Sequence, residues 1–278
     1  MFLKLGRSAL FTFDPAADEE GAPAPSSVTL QIHSGAVMAP QDATPIATIP
    51  AALSAAVWQA SYAPTKLGSY AGFWVYSGGY ERFTFEAVGT LLVSVGDIRT
   101  FEEVLADRVK FPTLALTRAR DVATEEFERI TDRSFVIQGR TEMVTATSWG
   151  HVPLTSFDVQ SVSSVTYSGG TIDPSAYSLD ASGGLSFGSL PVPPGTPLAV
   201  AYAYGFDRVP DDVKRAALLR VRDLLVSASS GIPDRAVSFQ VNDMGTYQLA
   251  TAGRAGFETG LPDVDAILSR YKMPFYAL

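Results

Sequence analysis

The chain of 278 residues is long enough for two ordinary domains, and with 46% apolar residues it can fill real cores. Lys and Arg number 21 against 29 Asp and Glu, and the net charge of −8 argues against a protein that grips nucleic acid by neutralising phosphates. Cysteine is absent, which excludes disulfide frameworks and thiolate metal sites, and no apolar run approaches the ~18 residues of a membrane span.

The start, MFLKLGRSALFTFDPAADEE, lacks the uninterrupted apolar stretch of a secretory signal, so use in a cytoplasm or release by lysis is expected. Residues 14–27 (DPAADEEGAPAPSS) read as an acidic, Pro- and Ala-rich loop. VTLQI (28–32), AAVWQASY (55–62), YAGFWVYSG (70–78), ERFTFEAV (81–88) and TLLVSV (90–95) each read as a strand bounded by turn residues. Short, regularly spaced strands of this kind predict a β-sandwich. Trp58 sits mid-strand, where a sandwich keeps a central aromatic. Gly68, two residues ahead of Tyr70, resembles the tyrosine-corner spacing of immunoglobulin-like domains, with Gly72 where their cysteine would stand. Trp58, Tyr70 and Trp74 equally fit the core of another all-β domain, and both readings remain open.

The character changes near residues 96–100. TFEEVLADRV (100–109) predicts a helix with Thr100 as N-cap and Glu103 completing a capping box. FPTLALTRARDVATEEFERITDRSF (111–135) places Leu116, Ala119, Val122 or Ala123, Phe127 and Ile130 on one stripe of an amphipathic helix. Residues 136–205 alternate apolar and polar residues around GG and SGG turns, as hairpins do, and LAVAYAYGF (198–206) closes them as a strand. VPDDVKRAALLRVRDLLVSASSG (209–231) predicts a helix opening on Pro210, Asp211 and Asp212 and stopping at Gly231, with stripe Val213, Ala217, Val221, Leu224 and Ala228. LPDVDAILSRYK (261–272) predicts the last helix, through Val264, Ile267, Leu268 and Tyr271. The stretch between those two helices reads as irregular or a hairpin.

A search for chemistry returns little. His33 and His151 lie far apart without acidic or histidine neighbours at metal-ligand spacing, and each reads as structural or superficial. No G-x-S-x-G nucleophile elbow follows a clear buried strand, and no phosphate-cradling loop occurs. The acids of YGFDRVPDD (204–212) admit a glycosidase-type carboxylate pair, but Asp211 and Asp212 are better explained as first-turn helix residues. No catalytic, cofactor-binding or metal-binding residue is assigned, and no enzyme is expected.

The order of motifs resembles the head-to-tail connector, or adaptor, family of long-tailed (siphovirus-type) bacteriophages. A helix ends in a pattern like E-x-x-T-x-R-x-F, here Glu128, Thr131, Arg133 and Phe135. An exposed turn leads to an x-Y-x-L-D strand, here Tyr177, Leu179 and Asp180. A V-x-Y-x-x-G strand end runs into P-x-x-[LV]-x-x-A, here Tyr202, Gly205, Pro210, Val213 and Ala216. A short helix closes on Y-[KR]-x-P, here Tyr271, Lys272 and Pro274. The resemblance covers about residues 98–278.

The expected protein is therefore α+β and multidomain: an N-terminal all-β Ig-like sandwich (1–96), read from the strand pattern because the resemblance says little about those residues, then, as the resemblance implies, a helical adaptor domain (97–278) with an inserted β-hairpin subdomain. The helices are expected at about 100–133, 210–230 and 262–272 and the hairpins at about 136–206. It further implies a structural virion protein of the neck, assembled in the host cytoplasm as a homo-oligomeric ring below the portal. A portal ring suggests on the order of twelve copies, closed because one surface of a subunit fits a different surface of the next. The stopper or tail-terminator protein would stack beneath, and DNA would pass through the lumen without specific binding. No membrane and no cofactor is implied. Ring contacts are expected from Leu218, Leu219, Arg222 and Leu225, on a helix apolar around much of its circumference. The C-terminal segment, through Tyr271, Lys272, Met273, Pro274, Phe275, Tyr276 and Leu278, is expected to dock into the portal with its aromatics as anchors. The alternative is a carbohydrate-binding module without a ring, displaying Trp58, Trp74 or Tyr80, and a third reading is a hydrolase with an unrecognised site.

Overall fold

The computed structural model describes residues 1–15, 25–147, 150–180, 183–188, 192–227, 238–241, 245–248 and 258–273. They pack as two units, each discontinuous in sequence: Met1–Leu91 with Ile137–Gly205, and Leu92–Val136 with Phe206–Leu278. The composition shift near residue 96 lies just past the first passage between the units. In packing, the hairpin region goes with the N-terminal strands.

The first unit opens with eight strands: β1 (Phe2–Lys4), β2 (Ala9–Phe13), β3 (Val28–Ser34), β4 (Ala47–Pro50), β5 (Ala52–Ser54), β6 (Val57–Tyr62), β7 (Gly68–Tyr76) and β8 (Gly79–Val88). Strands β2, β6 and β5 form a small sheet, while β8, β7, β3 and β4 form one half of a large one. Alternation dictates which side chains go inside. Val28, Leu30 and Ile32 of β3 are buried while Thr29 and Gln31 are half-buried, so every second residue faces the core. Across that core Leu30, Ile32, Tyr70, Trp74 and Phe85 of the large sheet meet Phe11, Phe13, Trp58 and Ala60 of the small one. The strands expected at 28–32, 55–62, 70–78 and 81–88 correspond to β3, β6, β7 and β8. Trp58 and Trp74 are 7% and 2% exposed, which leaves only Tyr80 of the three display aromatics at the surface.

Tyr70 Oη donates to the Lys66 carbonyl (2.8 Å), tying the start of β7 to the chain four residues upstream. TLLVSV (90–95) is not a strand. Leu92 and Val93 are buried in a turn, and Ser94 caps a helix instead.

Seven further strands complete the first unit: β9 (Gln138–Thr145), β10 (His151–Val152), β11 (Val159–Tyr167), β12 (Gly170–Thr171), β13 (Tyr177–Leu179), β14 (Leu185–Phe187) and β15 (Pro197–Tyr204). The large sheet runs β12-β11-β15-β9-β8-β7-β3-β4, with β1 parallel to the end of β8. Its two halves are joined by one residue pair, Val88 opposite Gln138. The next residue, Gly139, lies so near Leu67 that a Cβ would stand 2.7 Å from the Leu67 carbonyl carbon. Only glycine permits that approach. Val152, Val165, Leu185, Leu198, Val200 and Tyr202 make a second core beneath β10-β14-β13.

The second unit contains α1 (Val95–Phe101), α2 (Thr113–Thr131), α3 (Asp211–Ser227), the hairpin β16 (Ser238–Val241) and β17 (Gly245–Gln248), and α4 (Pro262–Leu268). The helix expected from Thr100 onward, and the span 100–133, are corrected. Ser94 is the N-cap, with Asp97 completing its capping box, and α1 ends at Phe101. Thr100 lies in the last turn of α1, its hydroxyl on the Gly96 carbonyl (3.0 Å). Beyond a short 3-10 turn (Glu103–Ala106), Arg99 folds the chain back by donating to the carbonyls of Leu105 and Phe111, both at 3.0 Å. Asp107 Oδ1 then accepts the N–H groups of Val109 and Lys110, which no continuing helix would leave free.

In α2 the buried stripe is Leu116, Ala119, Ala123, Phe127 and Ile130, and Val122 is the member of its pair left 49% exposed. Val213, Ala216, Ala217 and Val221 of α3 are fully buried. Arg220 of α3 reaches Glu126 of α2 through two hydrogen bonds of 2.7 and 3.1 Å. The last helix stops at Leu268, short of the expected 272, and residues 269–271 form turns. Ala228 lies outside the described residues.

Candidate assembly site

Three stretches far apart in sequence meet in the second unit. The end of α2 is closed by Asp132 in the left-handed conformation (φ 57°), its N–H on the Glu128 carbonyl at 2.8 Å. Thr131 Oγ1 back-bonds to the Phe127 carbonyl (2.8 Å), and Ser134 Oγ donates to Glu128 Oε1 (2.8 Å). This tight exit turns Phe135 inward, where it is 1% exposed.

Phe206 stacks on Phe135 at 5.6 Å, and the Arg133 guanidinium sits 4.8 Å over the Phe206 ring. Tyr271, just past α4, meets both rings edge-on, at 5.5 Å from Phe135 and 6.1 Å from Phe206. Such edge-on geometry places positive ring edges against negative faces. The Tyr271 hydroxyl donates to Asp212 Oδ1 (2.8 Å), and the same oxygen accepts the Val213 N–H (2.9 Å). Burial, then the hydrogen bond to Asp212 and that carboxylate's charge, push the Tyr271 hydroxyl above its ordinary range. Asp212 is therefore both a first-turn acid of α3 and the polar anchor of α4.

The path out of the junction is also held. Lys272 Nζ pairs with Glu258 (2.8 Å), and the Met273 N–H donates to the Thr131 carbonyl (3.1 Å). Thr259 donates through N–H and Oγ1 to Asp265 Oδ1 at 3.0 and 2.8 Å, fixing the approach to α4. Of the expected portal-docking residues, Tyr271, Lys272 and Met273 thus belong to the folded junction. Pro274, Phe275, Tyr276 and Leu278 lie outside the described residues.

The expected ring residues lie along α3. Leu218, Leu219 and Leu225 are half-buried, while exposed Arg222 donates from Nε to Glu102 (2.7 Å) within the same chain. Leu225 also lines an open groove of about 440 Å³ between α2 and α3, with Leu224, Leu114, Ala115, Arg118 and Val122. Leu114 and Val122 are 59% and 49% exposed there. Sequence reasoning missed Leu114 as a surface residue, and its only signal was an apolar residue one turn before Arg118 on the polar face.

Residues with chemical potential are dispersed. In the first unit His151 Nε2 lies 2.8 Å from Asp180 Oδ2, a pair that a separation of 29 positions conceals in the sequence. The other Asp180 oxygen accepts the Gly184 N–H (3.0 Å). His33 is fully buried, and among the described residues neither ring nitrogen has a hydrogen-bond partner. Among the described residues, no group of three or more His, Asp or Glu side chains is arranged to hold a metal ion. No helix among them is long and apolar enough to cross a membrane.

No family model and no curated protein matches the chain. Among solved structures, a chain from the neck of an empty GTA particle, computed with C6 symmetry, is similar at 16% identity with a TM-score of 0.44. The similarity covers 66% of this chain and 91% of that one.

Proposed function

We propose that this protein is a structural head-to-tail adaptor from the neck of a tailed, phage-like particle, and not an enzyme. The observation that carries the reading is the convergence at the junction. Residues by which the chain resembles the adaptor family at the end of α2 (Arg133, Phe135) and past α4 (Tyr271) share one aromatic cluster, and Asp212, at the start of α3, holds both the Tyr271 hydroxyl and the N–H of the motif residue Val213. Motifs that are individually weak and scattered over 140 or so positions acquire a common structural reason.

On this reading copies of the chain close into a ring below the portal, and Leu218, Leu219, Arg222 and Leu225 contribute to the contacts between them. The residues after Met273 dock into the portal from an exit held by Thr131. The next neck protein stacks beneath, and DNA crosses the lumen unbound, as the net charge of −8 favours. The N-terminal strands form an Ig-like decoration or interaction module, supported by the bond from Tyr70 to Lys66. Assembly takes place in the host cytoplasm.

The test is binding to purified cognate portal, comparing the full chain with a version ending at Met273, which keeps Tyr271 and the bond to Thr131. Ring-like decoration by the full chain alone, seen by electron microscopy, supports adaptor and docking segment together. Decoration by both forms removes the docking role of the last five residues, and decoration by neither removes the adaptor reading.

A further inference from the structure

The large sheet has a second buried patch, on the side away from the sandwich core. Ile32, Tyr70 and Trp74 face that core, so their strand neighbours His33, Ala71 and Phe73 point the other way. All three are nevertheless 0% exposed.

The cover is a stretch of the same chain. After β3 the backbone turns at Gly35 (φ 80°), whose N–H bonds the Ser69 carbonyl of β7 (2.8 Å). The Val37 carbonyl then accepts from Arg82 Nε (2.8 Å), and Arg82 stands on β8, with β7 between it and β3. At Ile46 the chain is back on β3, its N–H on the Ile32 carbonyl (2.8 Å). Residues 35–46 therefore cross β7 above Ala71 and Phe73. Beneath them the His33 ring meets Phe73 edge-on at 5.2 Å.

Among the described residues the pocket offers an imidazole no partner. Both ring nitrogens lack a hydrogen bond. On this face β8 contributes Tyr80, Arg82 and Glu86, the crossing segment contributes Asp42, and β3, β4 and β7 contribute no other titratable group. Glu86 accepts from Ser69 Oγ (2.7 Å), and Asp42 accepts from the Ala39 N–H (2.9 Å), so both carboxylates are engaged elsewhere.

We propose that residues 35–46 form an acid-released strap whose latch is the His33 ring. Neutral, the ring is tolerated as a flat, weakly polar filler beside Phe73. Protonated, it carries a charge and two donors into a space without an acceptor, which is strongly unfavourable unless water enters. Lifting the strap admits that water, and the strap is held near its start by Arg82 on Val37. Burial lowers the His33 pKa below its usual 6.5. A lowered value in the closed state means the open state takes the proton first. The closed strap is thus fully favoured above pH 6.5 and loses stability as pH falls from there through the closed-state value.

The chain has two histidines, so the ring signals are assigned by NMR with His151→Gln. The expected result is a His33 midpoint below 6.5, with amide exchange at Val37–Ala39 rising about tenfold or more over the same interval after correction for intrinsic rates. His33→Phe fills the pocket without titrating and keeps exchange flat. Arg82→Ala loosens the strap at neutral pH and moves the His33 midpoint upward. Strap exchange indifferent to pH, or rising equally in His33→Phe, overturns the proposal. A midpoint unmoved in Arg82→Ala does the same, and that arm stands even if His33→Phe fails to fold.

Discussion

Tyr271 contributes in two separable ways, through its ring against Phe135 and Phe206 and through its hydroxyl on Asp212. Tyr271→Phe removes the second alone. A hydrogen bond to a charged group is worth about 1.5–3 kcal/mol, and the substituted protein should lose about that much in urea denaturation with an unchanged m-value. Asp212 keeps the Val213 N–H, which argues for the lower end. The spacing of Tyr271 and Phe135 was legible in the sequence. Their meeting was not, because nothing local reports that Phe206 and Asp212 complete the cluster. The pair His151–Asp180 was hidden for the same reason, since it depends on β10 and β13 flanking β14. His33 read as structural or superficial, and its burial without a partner among the described residues follows from a crossing segment that no periodicity announces.

Helix starts show how two equally good local signals compete. Ser94 with Asp97 and Thr100 with Glu103 both have capping-box spacing, and only the first is used. Starting at Val95 buries Ile98 and brings Asp97 to Lys214 of α3 (3.2 Å), rewards that lie outside any local window. Ser94→Ala should cost about 1 kcal/mol, read as a lowered midpoint in thermal or urea unfolding. Asp97 adds a pH dependence. Burial raises its pKa, but the Ser94 N–H, the Ser94 hydroxyl and Lys214 outweigh that and hold it below the usual 3.8. Its stabilisation is therefore complete above that value and disappears as pH falls through the lower folded one, and Ser94→Ala should flatten acid unfolding in that window. In strands, the join of β8 to β9 depends on Gly139 slipping past Leu67. Gly139→Ala puts a methyl against backbone rather than a yielding side chain, so a loss of about 1–3 kcal/mol or more is expected on unfolding by urea.

For the molecule as a whole, alternation and turn residues gave the β character of residues 28–88 and 136–205, and helical spacing gave α2 and α3. Which strands would share a sheet was not readable. The two halves share one ladder pair among the described residues, Val88 with Gln138, between strands separated by α1 and α2. Pairing at that distance leaves no mark on composition. The break near residue 96 reflects a change of element type, whereas packing groups residues across it.

That interleaving bears on how the chain is made. The helix α2 leaves the ribosome carrying Leu116, Ala123 and Phe127 on its apolar stripe, yet α3, which packs on it, begins roughly 80 residues later. At ~5–20 residues per second, translation takes about 4–16 s to cover that stretch, most of which belongs to the other unit. The first unit has its last strand once β15 has emerged, while the second still waits for α3 and α4. Nascent chains thus carry a finished sheet beside an unclosed helix, and that helix is what a ribosome-associated chaperone would meet.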